Sequence, residues 1–176
     1  SNDNTFAAWK DDGSVITWGQ GGDSSAVASD LSSGVTQIYS NNTAFAALKD
    51  GGSVVTWGSA QRGGDSHLWT YDHGWVAVED VTNDLSSGVK HIYSNNWAFA
   101  ALKDGGSVVT WGTAQTSDGQ MGGDSSAVAG DLNSGVTQIY STEYGAFAAV
   151  KNDGSVVTWG KVEYGGDSSA VAGDLN

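Results

Sequence analysis

The stretch that decides the fold is Ala44–Gly58, AFAALKDGGSVVTWG, because the chain uses it four times. It returns letter for letter at Ala98–Gly112. It returns with small changes at Thr5–Gly19, as TFAAWKDDGSVITWG, and at Ala146–Gly160, as AFAAVKNDGSVVTWG. The copies are unequally spaced, by roughly 40 to 55 residues, and repeats of this length are typical of propellers and other tandem arrays. The sequence therefore predicts a repeat protein with insertions in one variable region.

Each copy predicts one tight β-hairpin. The segments FAALK and SVVTW alternate between two faces of an extended chain. Between them lies KDGGS, KDDGS or KNDGS. Asp-Gly and Gly-Gly between such segments are the strongest short-range hairpin signal, because the primed turns need positive φ. The glycine that follows each Trp marks the end of a strand or a bulge.

Two further phrases complete the repeat. GVTQIYS, at Gly34–Ser40 and Gly135–Ser141, and GVKHIYS, at Gly88–Ser94, alternate as a third strand would. GGDSSAVA places Asp and Ser ahead of a short apolar run and predicts an N-capped helical turn. We expect one all-β repeat domain over residues 1–176, with repeats at about 1–39, 40–93, 94–140 and 141–176.

The aromatic residues recur in step with the repeats. Each copy has one Phe and one hairpin Trp, and each complete third strand has one Tyr. Because each unit can bury its apolar face only against its neighbours, these rings are expected to form the core between repeats.

Charge and composition exclude several classes of function. Seven basic and 20 acidic side chains give a formal net charge of −13, whereas nucleic acids and anionic membranes need clustered Lys or Arg. There is no cysteine, which excludes disulfides, thiolate metal sites and thiol catalysis. No apolar run approaches the length of a membrane span. We expect no nucleic-acid partner, no membrane insertion, and an extracellular or cell-surface location.

The repeats resemble those of the chromosome-condensation-regulator type β-propellers, in which an Asp-Gly turn leads into a strand that ends in Trp-Gly. The matching segments are Asp12–Gly19, Gly51–Gly58, Gly105–Gly112 and Asp153–Gly160. Double glycines followed by Asp occupy the place of the family's glycine segment after the Trp. They lie at Gly21–Asp23, Gly63–Asp65, Gly122–Asp124 and Gly165–Asp167.

The resemblance implies a propeller of four-stranded blades, of which the family usually has seven. Four repeats fit part of a ring, a small four-bladed ring or an open stacked array. The family's best-known activity, nucleotide exchange on a small GTPase, depends on loops that have no match in this chain. We therefore do not transfer that activity.

Both ends of the chain fall at the same element of the repeat. Ser1 aligns with Ser40 and Asn176 with Asn133, so four hairpins are accompanied by only three GVxxIYS strands. One interpretation is a segment of a longer repetitive chain. The other is an unpaired strand edge that another copy covers, because exposed edges template association and open head-to-tail contacts build filaments.

The second repeat departs most from the others, at Ser66–Leu85. This segment, interpreted as a long aromatic loop, contains the candidate contact residues His67, Trp69, Tyr71, Asp72, His73 and Trp75. Two His and an Asp suggest a metal site, but their spacing matches no zinc motif. Exposed Trp and Tyr beside Asp suit a glycan or a protein partner. The simplest alternative is a loop that packs its own aromatic rings on the repeat surface.

The aspartates of the double-glycine segments have two interpretations. Their oxygens could bind Ca²⁺, although no Asp-x-Asp-x-Asp-Gly loop is present. Capping of the helical turn that follows explains them with fewer assumptions. We therefore expect no cofactor, and calcium is the weaker alternative. The aspartates are Asp23, Asp65, Asp124 and Asp167.

These observations favour a non-enzymatic structural repeat protein that self-associates, with head-to-tail filaments as its extended form. The sequence has no nucleophile elbow, phosphate loop or paired-carboxylate pattern. His91 replaces the Gln of GVTQIYS and is expected on a strand surface. The alternative function is a propeller-type binding module that recognises glycan or protein through residues 66–85.

Overall fold

The computed structural model describes residues 1–175, and Asn176, which the repeat alignment pairs with Asn133, lies outside them. The strands of the described residues form four separate sheets, each built on one copy of the repeated hairpin. We call these sheets blades and number them 1 to 4 along the chain. No sheet within residues 1–175 closes on itself. The predicted all-β architecture of tandem hairpins is confirmed.

Blades 1 and 2 show the repeated hairpin in its simplest form. In blade 1, β1 (Thr5–Trp9) pairs antiparallel with β2 (Val15–Gly19). Blade 2 has three antiparallel strands in the order β3 (Val35–Ser40), β4 (Ala44–Lys49) and β5 (Val54–Gly58). The central strand is therefore AFAALK, with the VTQIYS strand on one side and VVTWG on the other.

Blade 3 is larger because the variable segment of the second repeat joins it. β6 (His67–Tyr71) and β7 (Trp75–Asp80) form an antiparallel pair, which we call the side hairpin. The blade also contains β8 (Val89–Ser94), β9 (Ala98–Lys103), β10 (Val108–Thr116) and the short β11 (Gly119–Gln120). β6 runs parallel to β10, which gives the order β7-β6-β10-β9-β8, and β11 pairs with β10.

The interpretation of Ser66–Leu85 as a loop is therefore wrong, because most of this segment is strand. HLWTY and WVAVED are rich in the aromatic and β-branched residues that favour strands. Their backbone groups pair with each other and with the free side of β10.

Blade 4 returns to the three-stranded form, in the order β12 (Val136–Ser141), β13 (Ala146–Lys151) and β14 (Val156–Gly160). Each complete VxxIYS strand pairs with its central strand through a register shift near its start, as β12 does between Val136 and Gln138. The same irregularity occurs in blades 2 and 3. The three predicted GVxxIYS strands are confirmed, and blade 1 has none.

The helical segments between the blades are short. 3₁₀ turns lie at Ser25–Val27, Ala60–Arg62, Asp104–Gly106, Ser126–Val128, Val162–Tyr164 and Ser169–Asp174, and the one α-helix of residues 1–175, α1, is Ala129–Leu132. Oδ1 of Asp23 accepts a hydrogen bond of 2.9 Å from the backbone N–H of Ser25, which begins a 3₁₀ turn. Asp124 and Asp167 make the same contact. The helical turn predicted after Asp23, Asp124 and Asp167 is confirmed as a 3₁₀ turn, but the aspartate lies one residue before the N-cap serine, whose own side chain makes no capping hydrogen bond. After Asp65 the prediction is wrong, because strand β6 follows and Asp65 Oδ1 accepts from the N–H of its first residue. The same residues contain no helix long and apolar enough to cross a membrane.

The hydrophobic core lies between the blades. One cluster packs Ala46 and Leu48 of β4 against Phe99 and Trp111 of blade 3. The corresponding cluster packs the small residues of β9 against the Phe and Trp of blade 4. Each central strand thus presents small side chains to the blade after it and its Phe to the blade before it.

Blade 1 departs from the expectation that every repeat buries its rings. Phe45, Phe99 and Phe147 are at most 1% exposed, whereas Phe6 is 54% exposed and Trp18 is 52% exposed. No described blade lies in front of β1 and β2, so these rings have no small residues to pack against. Tyr140 of β12, at the other end, is also exposed rather than buried.

The Gly-Gly of the repeated hairpin serves both the turn and the joint between blades. Gly52 has a φ of +77°, and a Cβ added there would stand 2.7 Å from the backbone nitrogen of Gly88 in the next blade. The carbonyl of Gly52 accepts a hydrogen bond of 2.9 Å from the N–H of Val89. A side chain at this position would therefore separate the two blades as well as strain the turn.

Candidate interaction surfaces

The joint between two blades has a repeated geometry. The indole N–H of Trp111 donates to the carbonyl of Gly63 at 3.1 Å, and Trp159 donates to Gly122 at 3.1 Å. Gly63 and Gly122 each belong to the double-glycine loop that follows the preceding blade. A Cβ on Gly63 would stand 2.7 Å from the ring of Phe99. The Phe–Trp pair of one blade therefore packs directly on the double-glycine loop of the blade before it.

Every blade carries this Phe–Trp pair in the same stacked arrangement. The buried pairs have ring centroids 5.1–5.3 Å apart and are Phe45–Trp57, Phe99–Trp111 and Phe147–Trp159. The pair Phe6–Trp18 of blade 1 has a separation of 5.4 Å and an interplanar angle of 16°. It is therefore preformed in the geometry of a joint although more than half of each ring is exposed.

Blade 1 consequently presents an apolar surface, which we call the head face. It consists of Phe6 and Trp18 together with Ile16, which is 55% exposed. Its equivalent in blade 2, Val55, packs in the core cluster beside Phe45 and Trp57. These rings were expected in the core between repeats, and the repeated alignment of Phe and Trp is the sequence signal that identifies them as a joint surface.

Blade 4 presents the opposite side of the joint, which we call the tail face. It consists of Ala148 and Val150 of β13, both half-buried, the exposed Tyr140, and the double-glycine loop at Gly165. Gly165 has the backbone conformation of Gly63, with φ of +99° and +96° respectively. Apart from its own chain neighbours, no described residue has an atom within 4 Å of a Cβ built on Gly165, so no Phe–Trp pair of the described residues lies on this glycine.

Serine side chains connect the blades along the third strands. Ser94 Oγ donates to the carbonyl of Ser40 at 3.0 Å, and Ser141 Oγ donates to the carbonyl of Ser94 at 2.7 Å. At the other end Ser40 Oγ donates to the carbonyl of Ser1 at 3.0 Å. The serine that begins each repeat after the first thus donates to the serine that begins the repeat before it.

His91 lies in a second inter-blade row, formed by tyrosines and their neighbours. Its Nδ1 is 3.0 Å from the hydroxyl of Tyr39, and the next blade repeats the contact with Gln138 Nε2 donating to the hydroxyl of Tyr93 at 3.1 Å. Burial lowers the pKa of His91, and burial raises the pKa of Tyr39 and that of Tyr93. His91 is therefore half-buried in a joint rather than on an open strand surface.

The six candidate contact residues of the side hairpin divide into two groups. At its base, Asp65 Oδ1 accepts hydrogen bonds from the indole N–H of Trp69 at 3.0 Å and from the backbone N–H of His67 at 3.2 Å. His67 Nδ1 is also 2.8 Å from the carbonyl of Asp65. His67 and Trp69 thus help to fix the hairpin to the double-glycine loop, which is a structural role.

The other group lies at the tip. Tyr71 and Trp75 face each other across the two strands with their rings 5.4 Å apart, edge to face. Asp72 and His73 form the turn, with His73 Nδ1 2.7 Å from Asp72 Oδ1 and both side chains more than four-fifths exposed. The length of β6 separates His73 from His67, since a strand rises about 3.3 Å per residue. The structure therefore does not bring the two histidines together.

The edge of the side hairpin is open. β7 is exposed at all six positions and is the outer strand of its sheet. Val76 is 48% exposed and Val78 is 54% exposed. An apolar edge strand of this kind is a template for pairing with another chain.

The double-glycine aspartates show no convergence on a metal. Their Oδ1 atoms accept backbone hydrogen bonds within their own loops. Over residues 1–175 no group of three or more His, Asp or Glu side chains is placed to hold a metal ion. The described residues therefore offer no set of ligands for the calcium interpretation.

Known proteins match this chain in structure and not in sequence. No protein-family model matches it, and no match was found among curated proteins. Yeast RCC1 (Prp20), solved bound to Kap60, is 17% identical with a TM-score of 0.55, and the match covers 92% of this chain and 41% of that one. Human WBSCR16 is 17% identical with a TM-score of 0.52, and the match covers 92% and 46%.

Prp20p from Saccharomyces cerevisiae gives a similar result, with 16% identity, a TM-score of 0.55 and coverage of 93% and 44%. That protein is described with its binding properties to Gsp1p and histones. This chain spans less than half the length of each of these proteins. The resemblance of the repeats is confirmed, and the fold is that of RCC1-type β-propellers.

Proposed function

We propose that this chain is a non-enzymatic repeat protein, extracellular or at the cell surface, that self-associates through the head face of one copy and the tail face of another. The observation that carries the proposal is the exposed Phe6–Trp18 pair. It has the stacking geometry of pairs that lie against a double-glycine loop elsewhere in the molecule. A blade of the same repeat type is therefore the partner that fits it.

The internal joints specify the contacts expected between copies. Trp18 would donate to the carbonyl of Gly165, as Trp111 donates to Gly63. Ser1 Oγ would donate to the carbonyl of Ser141, in the way that each later serine donates to the one before it. The head-face rings would cover the small residues of β13, as Phe99 and its Trp cover those of β4.

The size of the head face sets the expected strength of the joint. Burial of a large apolar side chain contributes about 1.5–3 kcal/mol, and the head face has three. Association also costs about 4–15 kcal/mol in lost translational and rotational freedom. We therefore expect a reversible joint whose occupancy depends on protein concentration.

A head-to-tail contact uses two different surfaces, so it either closes a ring or continues as a filament. Both assemblies use the same joint, and electron microscopy at neutral pH distinguishes them. Filaments are the extended form in this proposal.

The test is sedimentation velocity of the wild-type chain and of Trp18→Ser over a range of concentrations. We expect the wild type to form larger species with increasing concentration, and Trp18→Ser to weaken the association at least about tenfold. The matched control is Trp75→Ser, which removes another exposed Trp from the side hairpin. Circular dichroism checks that both variants keep the fold.

Two results would contradict the proposal. One is a wild-type chain that stays monomeric at every concentration reached. The other is an equal loss of association in Trp75→Ser, which would place the contact on the side hairpin.

A second candidate function is partner binding by the side hairpin. The observation in its favour is β7, an edge strand exposed along its whole length with Trp75, Val76 and Val78 as apolar contacts. Free backbone groups of an edge strand favour an extended protein segment over a glycan. Partner binding by the side hairpin is tested with a glycan array and with a pull-down on the immobilised chain. Binding that is lost in Trp75→Ser and kept in Trp18→Ser supports this role. Binding that survives Trp75→Ser contradicts it.

A further inference from the structure

The open edge of the side hairpin lies in a part of the chain that has only acidic charges. Between Arg62 and Lys90 the sequence contains five carboxylates and two histidines, but no Lys or Arg. Within residues 1–175 none of these carboxylates forms an ion pair with Lys or Arg. The edge therefore carries negative charge that no basic side chain of its own segment balances. The carboxylates are those of Asp65, Asp72, Glu79, Asp80 and Asp84.

Two of these carboxylates, Glu79 and Asp80, lie at the end of β7 itself. Both residues are exposed. Hydrogen bonds from the hydroxyl and the backbone N–H of Thr82 lower the pKa of Asp80, and the N–H lies 2.9 Å from Asp80 Oδ1. These hydrogen bonds hold the carboxylate of Asp80 in place without neutralising it.

The two ends of β7 differ in chemistry on both faces of the sheet. Successive residues of a strand point to opposite faces, so Glu79 and Asp80 lie on different faces. At the turn end, Trp75 and Val76 also lie on different faces, and both are exposed. Each face of the edge is therefore apolar near the turn and acidic at the other end.

The backbone of β7 is free to pair at both ends. Gly74, just before the strand, accepts a hydrogen bond of 2.9 Å within the turn, and the N–H of Val81, just after it, donates to the carbonyl of Ser66 at 3.0 Å. In an antiparallel ladder, hydrogen-bonded and non-hydrogen-bonded pairs alternate. The backbone groups of Trp75 and Asp80 therefore point away from β6, toward the open side.

We propose that β7 binds an extended protein segment that begins with two adjacent basic residues and continues with apolar ones. The segment pairs antiparallel with β7 and continues the sheet, which is a common way for an edge strand to bind a peptide. Its basic side chains, on opposite faces, pair with Glu79 and Asp80, and its apolar side chains cover Trp75 and Val76. This inference rests on the second candidate function and assigns the chemical class of its partner.

A second copy of this chain does not supply such a segment. The β7 strand of another copy has the same two carboxylates and no basic residue, so pairing of two β7 strands would leave all four carboxylates without a cation. Opposite charges across two strands are stabilising, whereas uncompensated like charges are not. The edge therefore fits a basic partner, and self-association is left to the head and tail faces.

The test is an NMR titration of the chain with three blocked peptides. The first is Lys-Arg-Thr-Val-Thr-Val-Thr, the second has Gln-Gln in place of Lys-Arg, and the third is the first peptide with alternate backbone nitrogens methylated. The chain carries Trp18→Ser, so that self-association does not affect the result. The signal followed is the indole N–H of Trp75, identified by its loss in Trp75→Phe.

We expect the basic peptide to shift this signal and the Gln-Gln peptide to bind about fivefold more weakly, since it lacks two cross-strand charge pairs. The methylated peptide keeps the charges but cannot pair with the edge, so we expect it not to bind. Raising the salt concentration should reduce the advantage of the basic peptide, because exposed charges are screened.

Paired variants of the chain test the two carboxylates directly. Glu79→Gln with Asp80→Asn removes both charges, and Asn keeps an oxygen that can accept from the N–H of Thr82. We expect this variant to bind the basic peptide no better than the Gln-Gln peptide. The matched control is Asp30→Asn with Asp131→Asn, which removes two exposed charges from the segments before blades 2 and 4 and should leave binding unchanged.

Four results would overturn the inference. If the Gln-Gln peptide binds as tightly as the basic one, the side hairpin still binds a partner but does not select a basic segment. If the methylated peptide binds equally well, charge alone explains the contact and the edge is not used. An equal loss of binding in the control pair would show a general effect of net charge. Absence of binding by all three peptides would contradict both this inference and the second candidate function.

Discussion

The contact of one tryptophan with one glycine fixes how closely two blades approach. Trp111 is fully buried, and its indole N–H reaches the carbonyl of Gly63 while the Phe99 ring lies against the glycine Cα. A residue with any side chain at this glycine would meet the rings. The glycine of the repeated Gly-Gly-Asp is therefore part of the joint as well as of a loop.

Gly63→Ala is predicted to destabilise the protein more than Gly21→Ala. Both glycines have positive φ, at +96° and +87°, so each substitution costs about 1 kcal/mol in backbone strain. Only at Gly63 would the methyl group stand 2.7 Å from Phe99, which adds about 1–3 kcal/mol of overpacking. Urea denaturation of both variants measures the difference, and equal losses would contradict the joint geometry.

His91 is predicted to make stability depend on pH. Burial lowers its pKa, so the unfolded chain binds the proton more readily than the folded one. Stability is therefore fully present above the unfolded pKa of about 6.5 and is lost as pH falls below it. His91→Gln restores the residue found at Gln37 and Gln138, and it should reduce the difference between denaturation midpoints at pH 7.5 and pH 5. An unchanged difference would show that another group causes it.

The environment of His91 could not be predicted from the sequence. The repeat alignment places it correctly on the third strand, but as a replacement for a polar Gln it was expected on the strand surface. Its contact with Tyr39 depends on the distance between two blades, and strand periodicity carries no information about that distance. The helical turns after Asp23 and Asp124, by contrast, follow from local sequence rules and were predicted.

At the scale of elements, the turn of the blade 1 hairpin is held by a carboxylate. Asp12 Oδ1 accepts from the hydroxyl of Ser14 at 2.6 Å and from its backbone N–H at 3.0 Å. The hydroxyl of Ser14, its backbone N–H and Lys10 lower the pKa of Asp12 to about 2. Asp153 and Ser155 repeat this turn in blade 4.

Ser14→Ala is predicted to raise the pKa of Asp12 toward its usual range. The lowered pKa means that the turn is stabilised above about pH 4 and loses this contribution as pH falls toward 2. An NMR titration of the Asp12 carboxyl in wild type and variant measures the shift. Asp153 serves as the internal control, because its own serine is unchanged. A pKa of Asp12 that does not rise would assign the shift to another contact.

The elements divide into those with a local signal and those without one. The four hairpins were predicted because Asp-Gly and Gly-Gly turns act within a few residues. The side hairpin was missed because its segment occurs once and has no repeat to align with. The parallel pairing of β6 with β10 joins residues that are distant in sequence, and propensity does not determine such pairings.

At the scale of the whole molecule, the four blades form a directional series whose two ends differ. Each internal joint has rings on one side and small residues with a double-glycine loop on the other. From the sequence, association was expected through a missing strand, because four hairpins are accompanied by only three GVxxIYS strands. The structure adds two surfaces, the head face at Trp18 and the tail face at Gly165, which lie on the faces of the blades rather than at a strand edge.

The most direct measurement of the central proposal is chemical cross-linking between two single-cysteine variants. The chain has no cysteine of its own, so Ser1→Cys and Ser141→Cys each introduce one reactive thiol. If the head face binds the tail face, these two positions of different copies become neighbours, as Ser40 and Ser94 are within one copy.

The two variants are mixed and treated with a short bis-maleimide, and each variant alone is treated in the same way. We predict a cross-linked dimer in the mixture and much less in either variant alone. When Trp18→Ser is added to both chains, we expect the dimer to disappear. A mixture that cross-links no better than the separate variants would contradict head-to-tail association.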